Sequence, residues 1–521
     1  MKRPSSRRMF LSKVGRGTLV AMLGPSIASE MGLVPRAFAA ELETPLTFGN
    51  LEPLVCALQE TPIEKLQSNL AESIRGGESL KNLVAAAALA NARTFGGEDY
   101  IGFHTFMALA PAFKMSKLMP TGQAALPIFK VLYRNSNRIQ EFGGRKSEVL
   151  AHAISTKSSK DEADPDTLHD VVRKKNMEQA ESILASMVQN DRTSALEALL
   201  PLVQDSPEVH RVVLPYRAWD MQEIVGTEHA LTLLRQSLHY CIHNEPYRRA
   251  DWDEHGTMLA SVLDEYRLAG KSVGTRQAED GFVEHLAQTF STASPSDAVR
   301  AAASALSEGF AGQVIGEALS LSATMLVLRD PGRQPQWEDR LKPAGSVHGD
   351  SRGVHASDAA NAWRNLATVT RGASAMSCLL IGAWQVARDR GDTSNLLPAS
   401  LPYKNHLDRI PEKDADALLA RLDDAIVNNL QGSASAIAHR YGELDLPIER
   451  IFATLLRYAV SEDGALHAEK YFQTVWDDFH STRPSMRWRH VSSLARVTAS
   501  EYGRPAAGQA EARQLVSQLT S

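Results

Sequence analysis

The chain has 521 residues, 43% of them hydrophobic, 22% charged and 6% aromatic, with a formal net charge of −5. That length and apolar share can bury a large core, in two or three subdomains. The acidic balance argues against DNA or RNA as a partner. Cysteines occur only at positions 56, 241 and 378. Three so far apart exclude a disulfide framework but leave room for one Cys56–Cys378 bridge. No C-x-x-C-H run offers covalent haem attachment.

Residues 6–13, SRRMFLSK, resemble the twin-arginine export signal, with paired arginines, a hydrophobic residue two positions later and a nearby lysine. The weakly apolar run 14–34 is interrupted by Gly, Pro, Ser and Glu, so it is a poor membrane span. Ala37-Phe38-Ala39 supplies a small-x-small cleavage site. The resemblance implies a protein that folds before the twin-arginine machinery carries it to the periplasm or beyond. Such proteins often load a cofactor before export. Removing residues 1–39 takes away seven basic side chains and one acidic one, moving the formal charge to about −11. No later apolar run is long enough to leave a stable membrane span after processing.

Beyond the leader, nearly every segment reads with helical period, and strand-like alternation is almost absent. Residues 40–154 form an N-terminal helical group, punctuated by Gly96-Gly97 and Pro120-Thr121-Gly122. A polar linker follows over 155–176. A central helical group spans 177–328, a Pro/Gly-rich linker 329–356, and a C-terminal helical group 357–521. No fixed-period repeat is present. The expected fold class is all-α, an irregular multi-helix array with two or three helical subdomains.

The central group contains the stretch EHALTLLRQSLHYCIHNE, residues 228–245. On a helix its apolar residues fall on one side, while Glu228, His229, Thr232, Gln236, His239 and His243 gather on the other. Imidazole, hydroxyl and amide groups suit a polar cavity better than bulk water. His239 and His243 stand one turn apart, a spacing that lets two imidazoles reach one ion. The intervening glutamate of the H-E-x-x-H pattern is missing. His229 lies about 15 Å up the axis, so it lines the cavity with Glu228 and Gln236 rather than sharing a mononuclear site.

Three other segments carry histidines in settings that suit an interior. His104 follows Tyr100 by one turn in an otherwise apolar helix. His355 projects from the mouth of a helix that Ser357 or Asp358 would cap, after a Gly-rich loop. His467 and Tyr471 share a helical face. The resulting expectation is a metal centre of His239, His243, His104 and His467. His355, Tyr100 and Tyr471 are the candidate catalytic groups. No nucleophile elbow, phosphate loop or dinucleotide fingerprint appears.

Phe103-His104, the run EVHRVVLP at 208–215, and Val354-His355-Ala356-Ser357 occur in this order in a helical chain. Together they resemble the histidine-bearing helices of questin oxidase-like proteins. The resemblance implies a helical oxygenase of the kind associated with Baeyer–Villiger-type ring cleavage of aromatic polyketides. The expected function is an exported metal-dependent oxidoreductase, an oxidase or oxygenase acting on a small organic substrate. Iron is the first choice of metal, with copper, zinc or non-covalent haem as alternatives. Two competing readings are an exported helical binding or scaffold protein, and a metal-independent hydrolase or lyase using His355 with Asp350 or Asp358.

Overall fold

The computed structural model describes residues 45–153, 164–249, 252–340, 342–349 and 351–519. The export leader, most of the polar stretch at 155–163 and Asp350 lie outside the described residues. The fold is all-α. Among the described residues the only extended pairings are isolated bridges, such as Gly274 with Ala311 and Glu462 with Pro505. No described helix is long and apolar enough to cross a membrane. All three cysteines are free, so Cys56 and Cys378 form no bridge.

Nine of the helices matter here, four that carry the histidines described below and five that pack against those four. Helix α1 (Leu80–Phe95) opens on Ser79, whose hydroxyl accepts from the Asn82 N–H, and closes on Gly96 in the left-handed region. Gly97 continues the turn at φ +87°, where a Cβ would come within 2.2 Å of the Gln236 carbonyl oxygen. Only glycine allows this approach. Helix α2 (Tyr100–Ser116) then starts on Asp99, which accepts from the Gly102 N–H at 2.7 Å and is held by Arg138. Helix α3 (Val209–Asp220) is capped by Glu208, and α4 (Ala230–Asn244) carries His239 and His243.

Helix α5 (Gly312–Leu328) is apolar on nearly all sides and is buried accordingly. Helix α6 (Arg352–Val369) packs against both α5 and α7 (Gly372–Arg390). Trp363 of α6 is fully buried and donates to the Gln385 side-chain oxygen at 2.7 Å. Helices α8 (His467–Ser481) and α9 (Trp488–Glu501) complete the set. Helices α2, α3, α6 and α8 form a closed ring of neighbours, each touching the next and α8 returning to α2.

The segment expected as a polar linker over 155–176 carries a helix at Pro165–Arg173, with Leu168, Val171 and Val172 buried. The Pro/Gly-rich stretch 329–356 likewise ends inside α6. The apolar core is one cluster extending from Phe48 to Val516.

Candidate functional site

Each helix of the ring places a histidine near its N-terminal end. His104 lies in the second turn of α2, His210 and His355 in the first turns of α3 and α6, and His467 is the first residue of α8. Neighbouring ring centres stand 4.7 Å apart for His104–His210 and 5.7 Å for His210–His355. The circuit closes at 5.2 Å for His355–His467 and 5.4 Å for His467–His104. The Nε2 atoms of His104 and His210 face each other at 3.1 Å, and those of His355 and His467 at 3.2 Å.

The outer nitrogens reveal the proton positions on the first pair. His104 Nδ1 lies 2.6 Å from the Tyr100 carbonyl oxygen, which can only accept, so Nδ1 carries the hydrogen. Burial, then the charge of Lys470, then His210, hold the His104 imidazole far below its ordinary pKa. It is therefore neutral, with a bare lone pair on Nε2. His210 Nδ1 donates to Glu208 Oε2 at 3.1 Å. Burial would raise the Glu208 carboxyl, but hydrogen bonding and charge from His210 and the Tyr240 hydroxyl hold it down at about 2. The same carboxylate accepts from the backbone N–H groups of His210 and Arg211, so one side chain caps α3 and orients the ring. The two Nε2 atoms attract only if a proton or a cation lies between them.

On the second pair, burial, then Lys470 and the other histidines, push His467 well below its ordinary range. Its Nδ1 is buried without a hydrogen-bond partner among the described residues. Lys470, one turn further along α8, is itself pulled down to about 8 by burial, with Asp358 opposing that shift. The approach to His467 is unusual. Gly464, Ala465 and Leu466 have φ of +49°, +48° and +67°. For the two non-glycine residues this conformation costs roughly 1–2 kcal/mol each. The buried Lys130 anchors the same loop, donating to the Ala459 and Glu462 carbonyls at 2.8 and 2.6 Å while pairing with Glu469 at 2.5 Å.

Phe103 stacks on His104 and Tyr240 meets Phe103 edge-on. Tyr100 lies 4.4 Å from the His104 ring and is 62% exposed, so the tetrad sits just beneath the surface under one phenol. Two imidazoles bound to one ion at about 2.0–2.1 Å have nitrogens roughly 2.9–3.4 Å apart. Both facing pairs fall in that range. The sides between pairs are wider, and among the described residues no group of three or more His, Cys, Asp or Glu stands as a ready metal-binding set.

Of the residues singled out from sequence, His104, His355, His467 and Tyr100 come together. His239 and His243 do not join them. His239 places Nδ1 2.9 Å from Glu98 and Nε2 2.6 Å from Glu181, so both nitrogens are engaged by carboxylates. His243 is exposed on the next turn. The polar face of α4 thus meets carboxylates and solvent. Glu228 is exposed, His229 packs edge-on against Phe48, and Gln236 is buried with its backbone against Gly97. Tyr471 is buried and shares a hydrogen bond with Ser493 at 2.8 Å. Asp358 is buried and accepts from Thr474 at 2.8 Å.

His210 completes the tetrad and was absent from the expected ligands. Its signal was the Glu-x-His spacing at a helix start, which lets the capping carboxylate reach the imidazole two residues on. Comparison with family models, curated proteins and solved structures finds no match to this chain. Function must therefore be read from the four rings and their partners.

Proposed function

We propose that the protein is an exported metal-dependent oxidoreductase in which His104, His210, His355 and His467 hold a transition-metal ion beside a small organic substrate. The observation that carries this reading is the pair of Nε2–Nε2 contacts at 3.1 and 3.2 Å. In the first, the outer nitrogens are already committed as donors, as in metal-binding histidines fixed by a carbonyl or carboxylate. The spacing of each facing pair suits two imidazoles on a single ion. Iron is the first choice, with copper next among redox-active metals and zinc as a redox-silent alternative. When bound, iron or copper there supplies electron transfer and oxygen activation.

The chain's own residues have separable tasks. Glu208 and the Tyr100 carbonyl fix two ring orientations, and Phe103 keeps water from one face of His104. The exposed Tyr100 phenol is placed to exchange a proton with substrate at its oxygen. The questin oxidase-like resemblance agrees with oxidative chemistry. The competing reading is metal-independent acid–base work, with the Glu208–His210–His104 chain sharing a proton across the same 3.1 Å gap.

Metal analysis of protein purified after export by its native pathway separates the two. Stoichiometric iron or copper is expected, lost in His210→Ala and His355→Ala and kept in a His239→Ala/His243→Ala double variant. Folded protein that takes up neither iron(II), copper(II) nor zinc(II) would overturn the metal reading in favour of the proton relay.

A further inference from the structure

A cavity of about 430 Å³ opens beside the tetrad, on the side where α6 begins. His348 lines it, and the His348 ring stands 6.3 Å from His467. Ser351, Arg352 and Gly353, the start of the helix that carries His355, form part of its wall. Arg390, the last residue of α7, lines it as well.

The two arginines differ from most others in this protein. Arg390 is half-buried and donates only to carbonyls, those of Ala293 at 2.9 Å and Gly391 at 3.3 Å. Among the described residues, burial is the one influence on its guanidinium, which it weakens as a base, and no carboxylate compensates. Arg352 lies against the next residue in sequence. A Cβ on Gly391 would meet the Arg352 Nη1 at 2.6 Å, and Gly391 has φ +64°. Arg390 donates to the carbonyl of this same glycine, so both guanidinium groups approach Gly391.

The cavity's two carboxylates, Asp389 and Asp330, each have a partner closer than the two arginines. Asp389 is taken up by Arg388, and Asp330 accepts from the Gly332 N–H at 2.7 Å and is pushed up by burial, against the pull of Arg496 and Arg352. Two guanidinium groups that both approach Gly391, neither in an ion pair with a carboxylate among the described residues, repel one another. An oxyanion bridging them turns that repulsion into charge-assisted hydrogen bonding, for which the planar guanidinium is well shaped. Trp337 stands 67% exposed at the rim and offers a flat apolar face.

We propose that this cavity is the substrate pocket of the tetrad and takes a small organic anion, its oxyanion end gripped by Arg352 and Arg390 and its remainder directed past His348 towards His467. The assignment of the pocket to a substrate rests on the metal-centre reading. The binding chemistry rests on the two arginines alone. A carboxylate and a phosphate monoester share that chemistry.

Calorimetric titration of the mature protein with benzoate, phenyl phosphate and the neutral benzamide tests it. At least one anion is expected to bind at least tenfold more tightly than benzamide, and the tighter anion identifies the oxyanion. Arg352→Gln and Arg390→Gln are each expected to weaken that anion about tenfold while leaving benzamide unchanged. Equal binding of all three compounds, unchanged anion binding in both variants, or no anion binding at tens of millimolar would overturn the proposal. Metal content separates this from failure of the centre itself. The arginine variants keep their metal if only the pocket assignment is wrong, and His210→Ala still binds the anion if only the metal assignment is wrong.

Discussion

His210 and His239 show how differently one side chain behaves according to its partners. His210 gives one nitrogen to a single carboxylate and turns the other towards His104, whereas His239 is clamped by carboxylates on both sides. Glu208→Gln keeps the shape and cap of α3 but loses the charge that orients His210. A 10- to 100-fold loss of metal affinity is expected, read by competition with a chelator. His239 has a different signature. Burial lowers its pKa, but Glu181 and Glu98 more than offset that and leave it raised, with Arg235 opposing them. A raised folded value means its stabilisation is complete below the unfolded pKa of about 6.5 and is lost as pH rises through the folded one. His239→Gln should therefore cost about 1–3 kcal/mol near pH 6 and distinctly less near pH 9, measured as urea midpoints. A pH-independent cost would contradict the ionic clamp.

Helices were legible from their period, and the histidines at 104, 355 and 467 stood out because of their neighbours. The wheel of α4 divides an apolar from a polar face, yet Thr232, Gln236 and His239 of the polar face are buried as well, and no wheel tells what a face will meet. Here it meets Glu98, from the turn before α2, and Glu181, from a helix much earlier in the chain. The turn itself depends on one position. Gly97→Ala forces a Cβ to within 2.2 Å of the Gln236 carbonyl at a φ of +87°. A loss of about 3 kcal/mol is expected from this backbone clash and the left-handed conformation. The same change should displace α2 and lower metal binding. Equilibrium unfolding of the variant beside its metal content checks both effects. The left-handed run before His467 was invisible in sequence, because alanine and leucine announce no such conformation.

Across the whole molecule, the linkers read from composition do not partition the core, which extends from Phe48 to Val516. The four rings come from positions 104, 210, 355 and 467, so every large segment contributes to the tetrad. An ion bound only by the native fold should raise stability by about 2.7 kcal/mol at a free concentration one hundred times its dissociation constant. A thermal shift on iron addition that vanishes in His355→Ala would show this. A shift that survives would place the ion elsewhere.

The circuit of α2, α3, α6 and α8 is closed only by its last member, which begins at His467. A ribosome must therefore deliver the polypeptide as far as that position before the fourth nitrogen exists to be used. If the four rings hold an ion as proposed, a bound ion would show that synthesis had reached the start of the fourth helix, which no earlier-truncated copy can do.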